Sequence, residues 1–308
     1  MKPIYKLRDW IDQNKLIVEL LCKNPHPAAI PIIRRAIELD GDIDPVCDIN
    51  PTSEHSIKWK ALSENPVAID ILKENPYKIS WLFLSANPDP AAIELLKLNY
   101  DKIDWDVLSE NPAAIELLKS NPDKICWIGL SRNPAAIELL KANPDKINWK
   151  QLCFNPAPGA IELLEENPDK INWNYLSLNK GAIKLIEKNL RKRESSFILA
   201  TFQEDPSIIN WQRLCMNPAA IDLIKANPDK MYWYGLSENP AAIELLEANQ
   251  TRIYWPALSS NPAIFTYDYA AMRAAAAPFA EELVAAALHP RRLKKYFDSG
   301  GNEDMENF

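Results

Sequence analysis

Apolar and polar positions along the chain recur as a block. Residues 133–149 read NPAAIELLKANPDKINW, and residues 111–127 read NPAAIELLKSNPDKICW. Residues 217–233 (NPAAIDLIKANPDKMYW) and 239–255 (NPAAIELLEANQTRIYW) keep the same order. In each block an Asn-Pro pair precedes Ala, Ile and Leu at helical spacing. Asn suits a helix N-cap, and Pro suits the first turn, where its missing N–H is not needed. The spacing therefore predicts a helix from Asn111-Pro112 through Lys119, which the next Asn-Pro, at Asn121-Pro122, must end. A tight turn over Pro122 to Ile125 and a second short helix from Trp127 to Ser131 complete the unit. Ser80, Asp104, Asn148, Asn172 and Asn210 stand before Trp as capping types.

Helices this short do not persist alone, and one unit cannot bury its own apolar face. The predicted fold is all-α: an α-solenoid of short helical hairpins with divergent N- and C-terminal caps. Trp-x-x-Leu-[Ser/Cys]-x-Asn is the steadiest motif. It starts at Trp59, Trp81, Trp105, Trp127, Trp149, Trp173, Trp211, Trp233 and Trp255, with a weaker copy from Val18 through Leu21, Cys22 and Asn24. Successive Trp residues lie 22, 24, 22, 22, 24, 38, 22 and 22 apart. The chain divides into three regions. Residues 1–58 form a divergent N-terminal capping unit, 59–264 the repeat solenoid with an insertion at about 190–205, and 265–308 a helical C-terminal cap and tail. The doubled caps at Asn87-Pro88-Asp89-Pro90 and Asn155-Pro156-Ala157-Pro158 are expected to leave the stacking face unchanged.

The Trp file is expected to be a core column, with Trp127 and Trp149 largely buried and each worth about 3–5 kcal/mol on truncation to Ala. The competing use of such a file is a stacking ladder for bases or peptide side chains. Cys22, Cys153 and Cys215 fall where other units carry Ser, as at Ser109 and Ser131, so this position reads as a small buried contact. Asp70, Glu94, Glu116, Glu138, Glu162, Asp222 and Glu244 share one register, and Lys73, Lys97, Lys119, Lys141 and Lys225 lie three residues on. Lys78, Lys102, Lys124, Lys146, Lys170 and Lys230 form another file. Alternating files of opposite charge predict a solvated, self-neutralising face.

Departures from the repeat are where a partner site is sought. The longest gap, between Trp173 and Trp211, holds Arg191, Lys192 and Arg193 ahead of Phe197, Ile198 and Phe202. Cations beside large apolar groups can anchor a partner protein. The same residues could instead form an extra helix packed on the solenoid. Residues 190–205 are expected to be dispensable for folding.

Composition narrows the chemistry. The formal charge is −7, which disfavours a general nucleic-acid binder. No apolar run is long enough to span a membrane. Five Cys cannot all pair within one chain, and their positions point to a reducing, intracellular compartment. His26, His55 and His289 form no metal-binding pair, there is no Cys-x-x-Cys, and seven Gly supply no phosphate loop. The expectation is a non-enzyme without cofactor.

The units NPAAIELLKANPDKINWKQL and the tail running from NPAIFTYDYAAM to FAEELVAAALHPRRLKKYF resemble a helical-repeat family of giant and large algal DNA viruses. The resemblance covers about Asn24 to Phe297. It implies a viral protein acting in the host cytoplasm or in the virion, and it carries over no site residues. The leading expectation is a protein–protein interaction scaffold that binds a host or viral protein. A structural virion component and a nucleic-acid-binding repeat protein are the alternatives.

Overall fold

A computed structural model describes residues 3–40, 54–194 and 209–287, with isolated positions 289 and 294. It is an all-α repeat solenoid. Each unit is assembled as the sequence predicts, with 3-10 turns replacing part of the expected helix. Asn133 opens the turn Pro134–Ala136, which leads into the helix Ile137–Lys141. A second turn, Pro144–Lys146, leads into the helix Trp149–Leu152. The Asn133 side-chain oxygen accepts from Ala135 N–H at 2.9 Å, the N-cap bond that Asn was expected to provide. Asp104, Asn148, Asn172 and Asn210 cap the Trp helices, each accepting from the backbone N–H three residues on. Ser80, at the same position, makes no side-chain cap bond.

The doubled caps extend a helix without disturbing the stack. Asp89 caps a nine-residue helix, Pro90–Leu98, and Pro158–Glu166 has the same length. Where the unit after Asn179 lacks Pro, it carries Gly181, whose missing Cβ would strike the backbone carbonyl of Pro156. No other side chain fits there.

The core column is leucine and alanine, not tryptophan. Leu84, Leu108, Leu130, Leu152, Leu176, Leu214, Leu236 and Leu258, three residues after each Trp, are fully buried. So are Leu96, Leu118, Leu140, Leu164 and Leu246 on the other helix, with Ala92, Ala114, Ala136 and Ala160 between them. Trp127 and Trp149 are only half-buried, which corrects the expectation of a Trp core. The reason is position within the helix. Trp is the first residue of a one-turn helix, and helical side chains lean toward the N-terminus. Its ring therefore hangs past the end of the helix instead of lying between units.

What joins the units is polar. Asn133 donates both amide hydrogens to the preceding unit, to the carbonyls of Ser109 at 3.0 Å and Asn111 at 2.9 Å. Asn155 does the same to Ser131 and Asn133, at 3.1 and 2.9 Å. The motif serine bonds in the other direction. Ser131 Oγ donates to the Trp127 carbonyl within its unit and accepts from Asn148 N–H of the next, at 2.7 and 2.9 Å. Cys153 and Cys215 take the serine's place, their sulfurs accepting from Asn172 N–H and Tyr232 N–H at 3.3 Å each. This explains why Ser and Cys interchange: the position needs a small acceptor that fits a fully buried site.

The ladder also survives the longest gap, because Asn217 donates to the Ser177 carbonyl at 3.1 Å. Asn65 likewise donates to Cys22 and Asn24 at 2.8 and 2.9 Å. Within the unit Trp10–Ile264 the series then returns to its start. Asn24 donates to the carbonyls of Ser259 and Asn261 at 3.2 and 2.9 Å, and Ser259 Oγ accepts from Ile17 N–H at 2.9 Å. The weak copy at Val18–Leu21 is thus bonded to its neighbours on both sides, by the kind of asparagine amide bonds that join the other units. The hydrogen-bonded cycle runs through Asn24, Asn65, Asn87, Asn111, Asn133, Asn155, Asn179, Asn217, Asn239 and Asn261, all buried.

The chain ends form a separate unit, comprising Met1–Asp9 and Phe265–Phe308. In it β1 (Tyr5–Leu7) pairs antiparallel with β2 (Phe265–Tyr267), placing Tyr5 opposite Tyr267 with stacked rings 5.0 Å apart. The segment from Phe265 was expected to be helical, and it becomes so only in the helix Tyr269–Ala287. No helix among the described residues is long and apolar enough to cross a membrane.

Candidate functional site

Three faces of the solenoid carry chemistry-bearing side chains, and their surroundings separate them. The first is the acidic and basic outer face. Lys97 pairs with Glu94 and Lys119 with Glu116, each at 2.8 Å. Lys73 lies 3.7 Å from Asp70, and Lys141 reaches across to Glu162 of the next unit at 3.7 Å. These carboxylates are well exposed, so each pair contributes little, and the face neutralises itself as the sequence suggested.

The second is the Trp file. The lysine file that looked like another solvated row has a second use. Lys146 Nζ sits 4.5 Å from the Trp127 ring centre, Lys78 lies 5.0 Å from Trp59, and Arg252 lies 5.2 Å from Trp233. In each case the cation comes from the next unit's turn and covers the ring left half-exposed at the helix end. Lys15 completes the set over Trp255 at 4.9 Å, across the joint that closes the ladder. Such contacts contribute about 0.5–2 kcal/mol each. At these four tryptophans they also occupy a face that a stacking ladder would need.

The third face is the variable one. In each Trp helix, Leu and Ser at three and four residues after Trp point into the stack. Position one after Trp is exposed in most units, and positions two and five are mostly half-buried, apart from buried glycines and alanines at position two such as Gly129, Gly235 and Ala257. Here the repeat stops repeating. These positions hold Ile128, Lys150, Asn174, Gln212 and Tyr234, then Gln151, Tyr175 and Arg213, then Arg132, Phe154 and Met216. Neighbouring units bring them together. Arg132 lies over Phe154 at 4.9 Å, and the Phe154 and Tyr175 rings are 4.9 Å apart. Lys150 and Arg213 both approach the Tyr175 ring, at 5.1 and 5.0 Å. Further along, Tyr234 meets Tyr254 at 5.0 Å and Tyr232 at 6.1 Å, with all three exposed.

The partner site expected in the long gap is placed only in part. Arg191, Lys192 and Arg193 fall in the last turns of the helix Ile183–Glu194, and Arg191 is exposed, 3.8 Å from Glu187. Phe197, Ile198 and Phe202 lie outside the described residues. The residues missed from sequence, Phe154, Tyr175, Lys150 and Arg213, were visible as variation after Trp. That variation carried no readable code until the fold put adjacent units side by side.

The cysteines are structural where they are described. Burial pushes the Cys22 thiol up to about 12 and also raises those of Cys153 and Cys215, so all three stay protonated near neutrality. Burial likewise lowers the His26 imidazole, whose Nδ1 accepts from Ala28 N–H at 3.1 Å. At the repeat's edge Arg34 makes two hydrogen bonds to Glu74, which hold that carboxyl below its ordinary value.

The geometry defines the class: an all-α repeat solenoid whose constant residues build the frame and whose variable residues line one face. Comparison with family models, with curated proteins and with solved structures finds no match to this chain.

Proposed function

We propose that this protein is a non-enzymatic interaction scaffold that presents the variable face of its Trp helices to another protein. The observation that supports it is the division of labour within each unit. Trp, Leu, Ser and Asn are held nearly constant and are consumed in stacking. The positions just after Trp differ from unit to unit, and they expose large apolar groups such as Leu82, Ile128 and Tyr234. A frame that fixes everything except one face is suited to recognition of an extended surface. The resemblance to a viral repeat family adds the setting, an infected cell or a particle. The basic helix end at Arg191, Lys192 and Arg193 is a second contact that the same partner can use.

The test is a photo-crosslinking amino acid placed at Tyr234, on the variable face, or at Glu138, on the charged face, in cells expressing the protein. Protein adducts specific to the Tyr234 position are expected. Adducts at neither position above background, or nucleic acid as the main adduct, would overturn the reading.

A further inference from the structure

The joints of the hydrogen-bonded cycle are not equally made. Among the described residues, nine of the ten ladder asparagines donate both amide hydrogens across their joint. Asn217 donates one, to the Ser177 carbonyl at 3.1 Å, and makes no bond to the Asn179 carbonyl, the second acceptor that the pattern calls for. A second device is missing at the same place. Three residues before the motif tryptophans from Trp81 on stands a cation, and at Lys78, Lys146 and Arg252 it covers the ring of the preceding unit. Before Trp211 that position is Ile208, and no cation among the described residues covers Trp173. The described contacts that remain are the Asn210 N–H bond to Ser177 Oγ at 3.0 Å, the exposed Asn210–Asn174 pair at 2.8 Å, and Arg213 over Tyr175.

The other long connection makes the contrast. Asn24 and Asn65 lie 41 positions apart and Asn179 and Asn217 lie 38 apart, against 22 or 24 between the other successive asparagines. A longer connection costs more entropy to close. The joint at Asn65 keeps both amide bonds and adds two ion pairs across it, Lys58 with Glu19 at 3.5 Å, mostly buried, and Arg34 with Glu74. The joint at Asn217 has the long connection and fewer bonds. We infer that the closed series opens at the joint between Asn179 and Asn217, its two sides parting while the other joints hold. One buried hydrogen bond fewer favours that opening by about twofold to tenfold. Ser177 and Tyr175 lie on one side of the break, and Asn210, Arg213 and Asn217 on the other. The opening is a property of the ring itself and does not depend on what the variable face binds.

Hydrogen exchange of the full native chain, resolved to single amides by fragmentation mass spectrometry, tests it. The N–H groups of Asn210, Asn148 and Ile17 are each held across a joint by a serine Oγ. After correction for intrinsic rates, Asn210 is expected to exchange about fivefold faster than the other two. A thiol probe reads the opposite side of the same joint. Ser177 and Ser131 are both fully buried, and cysteine already fills this position at Cys153 and Cys215. The thiol of Ser177→Cys should react with N-ethylmaleimide about fivefold faster than that of Ser131→Cys. Equal protection of the three amides, or faster exchange at Ile17, where the first and last units meet, would overturn the proposal. So would fast exchange at Asn210 with equal labelling of the two thiols, because that is fraying of one segment and not a parting of the joint.

Discussion

Most units spell Asn-Pro twice, and the two copies do different work. Asn133 is fully buried; its oxygen caps its own turn and its amide ties two carbonyls of the neighbouring unit. Asn143, ten residues on, is half-buried, makes no side-chain cap, and donates back to the Leu139 carbonyl at 2.9 Å. The same contrast separates Asn111 from Asn121, and also Asn239 from Asn249, where Gln250 stands in place of Pro. An identical dipeptide thus becomes either the joint of the stack or the finish of a helix, according to whether another unit's backbone lies against it. The residues after the dipeptide distinguish the two copies. Ala-Ala-Ile or its equivalent comes after the joint, and Asp-Lys after the finish, which faces water.

That difference can be broken by exchange of single atoms. Asn133→Asp keeps the capping oxygen but removes both amide donors and sets a charge against two buried carbonyls. It should be the most damaging change, exceeding the loss of about 3–5 kcal/mol expected for Asn133→Ala. Asn143→Ala should cost about 1 kcal/mol, since only one half-exposed bond is lost. Urea titration of the three variants measures the gap, and similar costs at positions 133 and 143 would refute the assigned roles. The contrast between core and edge comes next. Leu130→Ala should cost about 2–5 kcal/mol, against about 2 kcal/mol for Trp127→Ala, whose ring is half-buried under Lys146. A greater loss at Trp127 would restore tryptophan as the core column.

Ser131 sharpens the joint from its other side. Ser131→Ala strands Asn148 N–H and should cost about 1–3 kcal/mol, while Ser131→Cys, already the natural choice at Cys153 and Cys215, should cost less than about 1 kcal/mol. Thermal melts of both variants are the check. The smallest effect concerns pH. The unfolded Cys22 thiol ionises at about 8.5, while the folded one, raised by burial, holds its proton to about 12. Its folded value lies above its unfolded one, so its contribution is complete below about pH 8.5 and is lost as pH rises toward 12. Urea midpoints should fall over that window more steeply in the native protein than in Cys22→Ser.

The helices, their starts and their ends were legible, because Asn, Pro and the apolar spacing are local signals. So was the interchange of Ser and Cys as a buried contact. The tryptophan core was misread because size and recurrence suggested burial, whereas its place at the first position of a one-turn helix decides otherwise. The pairing of Tyr5–Leu7 with Phe265–Tyr267 was not legible, since each strand is three residues long and its partner lies at the other end of the chain. Nor was the cluster around Tyr175, whose members are Arg132, Lys150, Phe154 and Arg213. They are spread over four units and meet only when those units stand side by side. The role of Asn24 was hidden for the same reason: its bonding partners are Ser259 and Asn261.

The bond between Asn24 and Asn261 has a consequence for how such a gene can change. An open array lengthens when a unit is duplicated, since the newcomer stacks on a free end. Here each unit already has a neighbour on either hand. A further copy would force the joint between the first and last units apart, leaving buried carbonyls without donors on both sides. The number of units is therefore locked, and new sequence can enter only in the connections between them. The two longest connections, from Asn24 to Asn65 and from Asn179 to Asn217, show that allowance in use: both carry extra chain, and the asparagine that ends each still reaches back to the unit before it.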